Sequence, residues 1–146
     1  MKIRTSIAAA GAAAVLAGTG AILLPAVASA HSTTHTLKFT AVPLTPQAKF
    51  SQTSFGQAEK DVNATGKVIG YDVVNVEVNP TTHTASGGVA LSTKGGFLYG
   101  TLKLTNPVIH GTVTGGTGPF KGATGTITGK PLSQNRTAVT VTYTTP

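Results

Sequence analysis

Across residues 35–42, apolar Leu37, Phe39 and Ala41 alternate with Lys38 and Thr40, the period of a strand with one face buried. Pro43 and Pro46 end that strand, and residues 47–53 predict a short second one. Residues 67–79 form the longest candidate, with Val68, Gly70, Val74, Val76 and Val78 on one parity and Asp72 among them. Ile69, Tyr71 and Val73 are apolar on the opposite parity, so two placements of Asp72 are open. It faces the interior with the valines, or a bulge near Tyr71 turns it outward. Residues 82–92 and 96–104 predict a hairpin through Thr93-Lys94-Gly95, with Leu98, Gly100, Leu102 and Leu104 on one face and Phe97 and Tyr99 on the other. Asn106-Pro107 predicts a turn, after which Ile109, Gly111 and Val113 share a parity that leaves His110 outside. A strand begins again at Thr124, and in 136–144 Val139, Val141 and Tyr143 alternate with Thr140, Thr142 and Thr144. Residues 56–66 are the most polar segment and predict a long loop, in which Glu59 and Asp61 are read as solvated beside Lys60.

Beyond residue 30 no stretch has useful helical periodicity, so the chain reads as all-β. Short, evenly spaced strands with glycine-rich turns fit a barrel or a sandwich. Small residues at mid-strand positions (Gly70, Gly100, Gly111, Gly125) favour strong curvature and hence a barrel. An apolar inner face makes the space within it suited to a small apolar ligand.

The N-terminus has a different pattern. Lys2 and Arg4 precede an uncharged run to Ala30 that ends Ala28-Ser29-Ala30, the plan of a secretory signal peptide cleaved between Ala30 and His31. The expected domains are therefore a leader, 1–30, and one β-barrel domain, 31–146, with its core at about 36–144. The expected product is secreted and keeps no transmembrane anchor. An Ala/Gly-rich leader and a chain without Cys point to a bacterial source.

Between the last strands lies Val113-Thr-Gly-Gly-Thr-Gly-Pro-Phe-Lys-Gly-Ala-Thr-Gly-Thr-Ile-Thr-Gly129, with six Gly in seventeen residues. A dinucleotide fingerprint needs a helix after its glycines, and here the β-branched Thr124, Thr126, Ile127 and Thr128 follow. The run at 125–131 fails as a P-loop, being one residue short and ending in Pro131. Gly115, Gly116, Thr117, Gly118, Phe120, Ala123 and Gly125 instead closely resemble the GGTG-x-F/Y-x-x-A-x-G signature of dirigent and allene oxide cyclase barrel-like proteins. Gly66-Lys67-Val68-Ile69-Gly70 and Lys94-Gly95-Gly96-Phe97-Leu98 are similar to the same family, and the resemblance spans residues 36–144. It implies an eight-stranded antiparallel up-and-down barrel with a small apolar cavity. Plant members cyclise an allene oxide or guide radical coupling without an active centre of their own. Asp72 and Tyr71 would then be the polar steering groups. The chain departs from the family at Thr124, where many relatives carry Arg, and in lacking the cavity Cys of the plant cyclases.

Composition narrows the chemistry. After leader removal nine Lys and Arg face four acids, a charge of +5 spread along the chain without a run. That dispersal argues against nucleic-acid binding and for soluble outer faces, with loose attraction to an anionic cell envelope. Without Cys there is no thiol catalysis, and no Ser lies in Gly-x-Ser-x-Gly. Cleavage would leave His31 with a terminal amine and imidazole able to chelate copper, with His35 nearby. Such a site needs a second His on the same side, which spacing alone does not show, and a flexible tail is the plainer reading. His83 and His110 have no ligand-like spacing and read as surface residues. No metal or cofactor is expected. The functions that remain are a secreted barrel binding a small apolar ligand, an isomerase, cyclase or dirigent-type auxiliary, and an envelope-associated structural protein.

Overall fold

The computed structural model describes residues 32–44, 46–105 and 107–146. The leader, the Ala30–His31 cleavage position and Asn106 of the expected turn lie outside them. The described residues form nine strands: β1 (Thr33–Pro43), β2 (Ala48–Lys49), β3 (Ser54–Val62), β4 (Val68–Asn79), β5 (Thr84–Thr93), β6 (Gly96–Thr105), β7 (Val108–Gly116), β8 (Thr124–Ser133) and β9 (Arg136–Thr145). Between β7 and β8 comes a single 3-10 turn, Gly118–Phe120.

Consecutive strands from β3 to β9 pair antiparallel, β9 pairs with β1, and β1 pairs with β3. Eight strands thus close an up-and-down barrel, as the alternation and the mid-strand glycines predict, with β2 as an addition. Closure leaves no long free edge to recruit another chain. Along β3, the open flank is shared: β1 covers Glu59 to Val62, and β2 covers Phe55 and Gly56.

Alternation decides which side chains enter the barrel. Phe39, Ala41, Leu91, Leu98, Leu102, Val113, Ile127, Val141 and Tyr143 form one buried cluster, to which Phe120 and Ala123 add from the β7–β8 connection. Each large aliphatic or aromatic group contributes roughly 1.5–3 kcal/mol by leaving water. Methyl groups at Gly111 and Gly125 would overlap the carbonyl oxygens of Thr101 and Thr142, so these positions let adjacent strands coil tightly.

Two expectations are corrected. The second strand expected over 47–53 is only the Ala48–Lys49 pair; residues 50–53 turn instead, with Thr53 and Ser54 donating backbone N–H groups to the Ser51 hydroxyl at 3.1 and 3.0 Å. The polar segment 56–66 is not one long loop: most of it is β3. The connection to β4 is a short turn in which the Asn63 carboxamide oxygen accepts from the N–H groups of Thr65 and Lys67.

Candidate functional site

The β3–β4 ladder carries the chain's unusual chemistry. On β3 the inward parity is Phe55, Gln57, Glu59 and Asp61; on β4 it is Gly70, Asp72, Val74 and Val76. Glu59 lies directly opposite Asp72, and Asp61 opposite Gly70. Side chains paired in this way stand about 5 Å apart at Cβ, and diagonal neighbours are still within reach of one another. Glu59, Asp72 and Asp61 therefore form a line of carboxyl groups inside the barrel. Glu59 and Asp61 are not the solvated loop residues that the polar composition suggests.

The expected bulge exists, but its position keeps Asp72 inside. The register skips Ile69, because Asp61 pairs with Gly70 and Val62 with Val68. Val68 and Ile69 are consequently both exposed, while Asp72 lies beyond the irregularity and keeps the parity of Val74 and Val76. Tyr71 is 52% exposed on the outer surface, since neighbouring residues of a strand point to opposite faces. Tyr71 and Asp72 do not share the interior; the groups that stand beside Asp72 there are Glu59 and Asp61.

Gly70 makes room for this cluster. A methyl group there would stand 3.2 Å from Asp61 Oδ2 and 2.5 Å from the Ser92 carbonyl oxygen. Asp61 is 1% exposed and Asp72 5%. Both carboxyl oxygens of Asp61 and Oδ1 of Asp72 are buried without a donor. Charged carboxylates so placed can bond to one another only if a proton lies between them. Burial is the main reason that all three hold their protons unusually tightly. Glu59 is raised from 4.5 to about 7 by burial and then by the charge of Asp72. Asp72 is raised from 3.8 to about 7 by burial and then by the charge of Asp61. Asp61 is raised from 3.8 to about 6, again by burial first. Near neutral pH the cluster sits close to its own midpoint, poised to exchange protons.

Two cavities meet along this line. The larger, of about 410 Å³, is lined by Phe39, Val74, Val89, Leu102, Ile127 and Val141 among other apolar groups, with Glu59 and Asp72 on one wall. Pro43, Gln47, Pro131, Ser133 and Gln134 also line it, so it extends to the barrel end where β1 finishes and β8 turns into β9. The smaller, of about 290 Å³, holds Asp61 with Leu37, Phe39, Phe120 and Tyr143, and Lys94 at its rim. Among the described residues no Lys, Arg or His lines the larger cavity.

The glycine signature serves the other end. Gly115, Gly116, Thr117, Gly118, Phe120, Ala123 and Gly125 fold the chain back so that Phe120 is buried edge-on against Tyr143, with ring centres 5.7 Å apart, and Ala123 is 0% exposed. Thr117 clamps the turn to β6: its N–H donates to the Phe97 carbonyl at 2.8 Å, and its hydroxyl accepts from the Phe97 N–H at 3.0 Å. His35 stacks on Tyr143, whereas His83 and His110 are exposed; His31 lies outside the described residues. Among the described residues no group of acids and histidines is arranged to hold a metal ion. A broader depression of about 720 Å³ on the outer face, lined by groups such as Asn75, Ser86, Thr101 and His110, is open to solvent and contains no buried charge.

Sequence reasoning missed Glu59 and Asp61 because their segment lacks apolar alternation. A polar alternation was present: Gln57, Glu59 and Asp61 against Ala58 and Lys60.

A closed eight-stranded antiparallel barrel with an apolar interior and a signature turn at one end defines the dirigent and allene oxide cyclase-like class of fold. Solved structures agree. The chain is similar to a pyocyanin demethylase (TM-score 0.58, 16% identity, covering 76% of this chain and 99% of that one). It is similar to the pterocarpan synthase dirigent protein GePTS1 (TM-score 0.56, 14% identity, covering 77% and 88%). A third similar structure is AbnU, an exo-specific intermolecular Diels-Alderase (TM-score 0.57, 9% identity, covering 78% and 97%). No sequence-family profile matches the chain, and no curated protein matches it by sequence. At these identities the likeness concerns the fold.

Proposed function

We propose that the protein is an exported barrel that takes up a small, largely apolar molecule in its interior. The observation that carries this reading is the 410 Å³ cavity: it is walled by aliphatic and aromatic side chains and lies in the range of small-molecule sites. A leader at 1–30 and the dispersed surface charge support action outside the cell, near an anionic envelope. Three proteins of similar fold, a demethylase, a dirigent protein and a Diels-Alderase by name, act on small organic molecules, which agrees with the reading.

Native mass spectrometry of protein purified from culture medium is expected to show a co-purifying molecule of a few hundred daltons. Added apolar compounds are expected to raise the melting temperature by several degrees at a hundredfold excess over Kd. A broad panel of such compounds with no effect on melting refutes the reading.

A second reading, turnover of the bound molecule, is favoured by one observation. Glu59 and Asp72 face each other on the cavity wall with pKa values near 7, where one carboxyl group can give a proton while the other accepts one. Conversion lost in Asp72→Asn at saturating ligand, with the fold intact, supports this reading. An equally active variant removes Asp72 from it.

A further inference from the structure

Charge in this molecule is sorted by face. The barrel domain has four acidic side chains, and three of them, Glu59, Asp61 and Asp72, point inward; Glu77 is exposed. The nine basic side chains are exposed or, for Lys60, half-buried, and none lines the larger cavity. A fold needing only an apolar interior gains nothing from this arrangement, because buried carboxyl groups without donors destabilise it. Both oxygens of Asp61 and Oδ1 of Asp72 have no donor apart from a proton shared among the acids themselves. The larger cavity thus offers an apolar wall on one side and the carboxyl groups of Glu59 and Asp72 on the other.

We propose that the interior selects a cationic ligand: a small aromatic or aliphatic molecule bearing a protonated amine or other positively charged nitrogen, held by Glu59 and Asp72. This rests on the reading of the barrel as a small-molecule binder and specifies the ligand's chemistry. Within the cavity a positive nitrogen supplies the donors that Asp72 lacks and replaces the proton shared along the line of acids. An anionic ligand meets only repulsion there. A neutral one leaves the acids as they are.

Every other element around the cluster lacks a competing charge. β1 contributes Phe39, Ala41 and Pro43, and β5 contributes Val89 and Leu91. The titratable groups of other elements that line the two cavities are Tyr99 in the larger and Tyr143 and Lys94 in the smaller, beside Asp61. Cation binding is therefore coupled to proton release from Glu59, Asp72 and Asp61.

Three matched probes test this by isothermal titration calorimetry: 1-naphthylmethylamine as cation, 1-naphthylmethanol as neutral analogue and 1-naphthoate as anion. At pH 8 the amine is expected to bind at least tenfold more tightly than the alcohol, with the acid weakest. The amine's advantage is expected to shrink severalfold at pH 5, where the carboxyl groups are protonated. At pH 6.5 its binding enthalpy should vary with the ionisation enthalpy of the buffer, reporting released protons, while that of the alcohol should not. Glu59→Gln and Asp72→Asn, made separately so that one folded variant suffices, are expected to bring amine affinity down to that of the alcohol measured on the same variant. An alcohol that binds as tightly as the amine at pH 8 overturns the inference and leaves an apolar binding barrel standing. Failure of all three probes to bind overturns both.

Discussion

Asp72 is 5% exposed and opposite Glu59, and its behaviour follows from the cost of placing a charge there. In the folded protein its pKa is about 7, against an ordinary 3.8. Above pH 4 the unfolded chain releases a proton that the native state retains. Stability from this group is therefore complete below about pH 4 and is lost as pH rises through 7. Glu59 and Asp61, raised to about 7 and about 6, act in the same direction. Urea denaturation is expected to show a protein more stable at pH 5 than at pH 8. Asp72→Asn keeps the shape and removes the ionisation. It is expected to gain about 1–3 kcal/mol at pH 8 and little at pH 5, flattening the profile. A profile that rises from pH 5 to pH 8 contradicts this. Gly70→Ala tests the packing beside the cluster. Its methyl group meets the Ser92 carbonyl oxygen at 2.5 Å, which neither strand can yield without shifting, so a loss of about 1–3 kcal/mol is expected in the same assay.

At the scale of the element, the turn from β7 to β8 and the β3–β4 ladder do different work. The turn stoppers one barrel end with Phe120, and its shape depends on Gly118, whose φ of 57° lies in the left-handed region. A methyl group at Gly118 would also stand 2.6 Å from the Gly95 carbonyl oxygen. Phe120→Ala is expected to cost about 3–5 kcal/mol in chemical denaturation, by loss of burial and by the space it leaves against Tyr143. The same variant is expected to leave probe binding in the larger cavity within a factor of about three, because Phe120 lines only the smaller one. The ladder, by contrast, contributes little apolar burial where the acids stand. Its buried acids cost stability rather than add to it.

For the whole molecule, closure depends on a narrow seam. β1 pairs with β9 over nine residues, but with β3 over only the four from Thr40 to Pro43. Those four lie opposite Glu59, Lys60, Asp61 and Val62, so the weakest join of the barrel runs beside its internal acids. Ionising the cluster puts like charges on Glu59 and Asp61 of β3, the strand that forms one side of the seam, and on Asp72 of the strand next to it. Hydrogen exchange is expected to show the β1–β3 amides opening before those of β1–β9. The difference should widen from pH 6 to pH 8 after correction for intrinsic exchange. Uniform protection around the barrel at both pH values contradicts this account.

The chain's alternation was enough to establish most strands, their inward faces and the curvature that closes them. Hydrophobic periodicity is a local quantity, and β5 to β9 have an apolar residue at nearly every inward position. The signature at 115–125 made the class of barrel legible because its glycines and Phe120 occupy fixed offsets. Only the tertiary structure decided where the acids lie. β3 carries Gln57, Glu59 and Asp61 inward and Ala58 outward, so its polarity is inverted and a rule based on burying apolar groups reads it as loop. The placement of Asp72 depended on where a one-residue irregularity falls, at Ile69 rather than beyond it, and that is set by pairing with β3. Pairing β3 with β4 set Glu59 opposite Asp72, closing β1 onto β3 completed the barrel around them, and burial there, which no local pattern contains, raised the pKa values of three ordinary carboxyl groups.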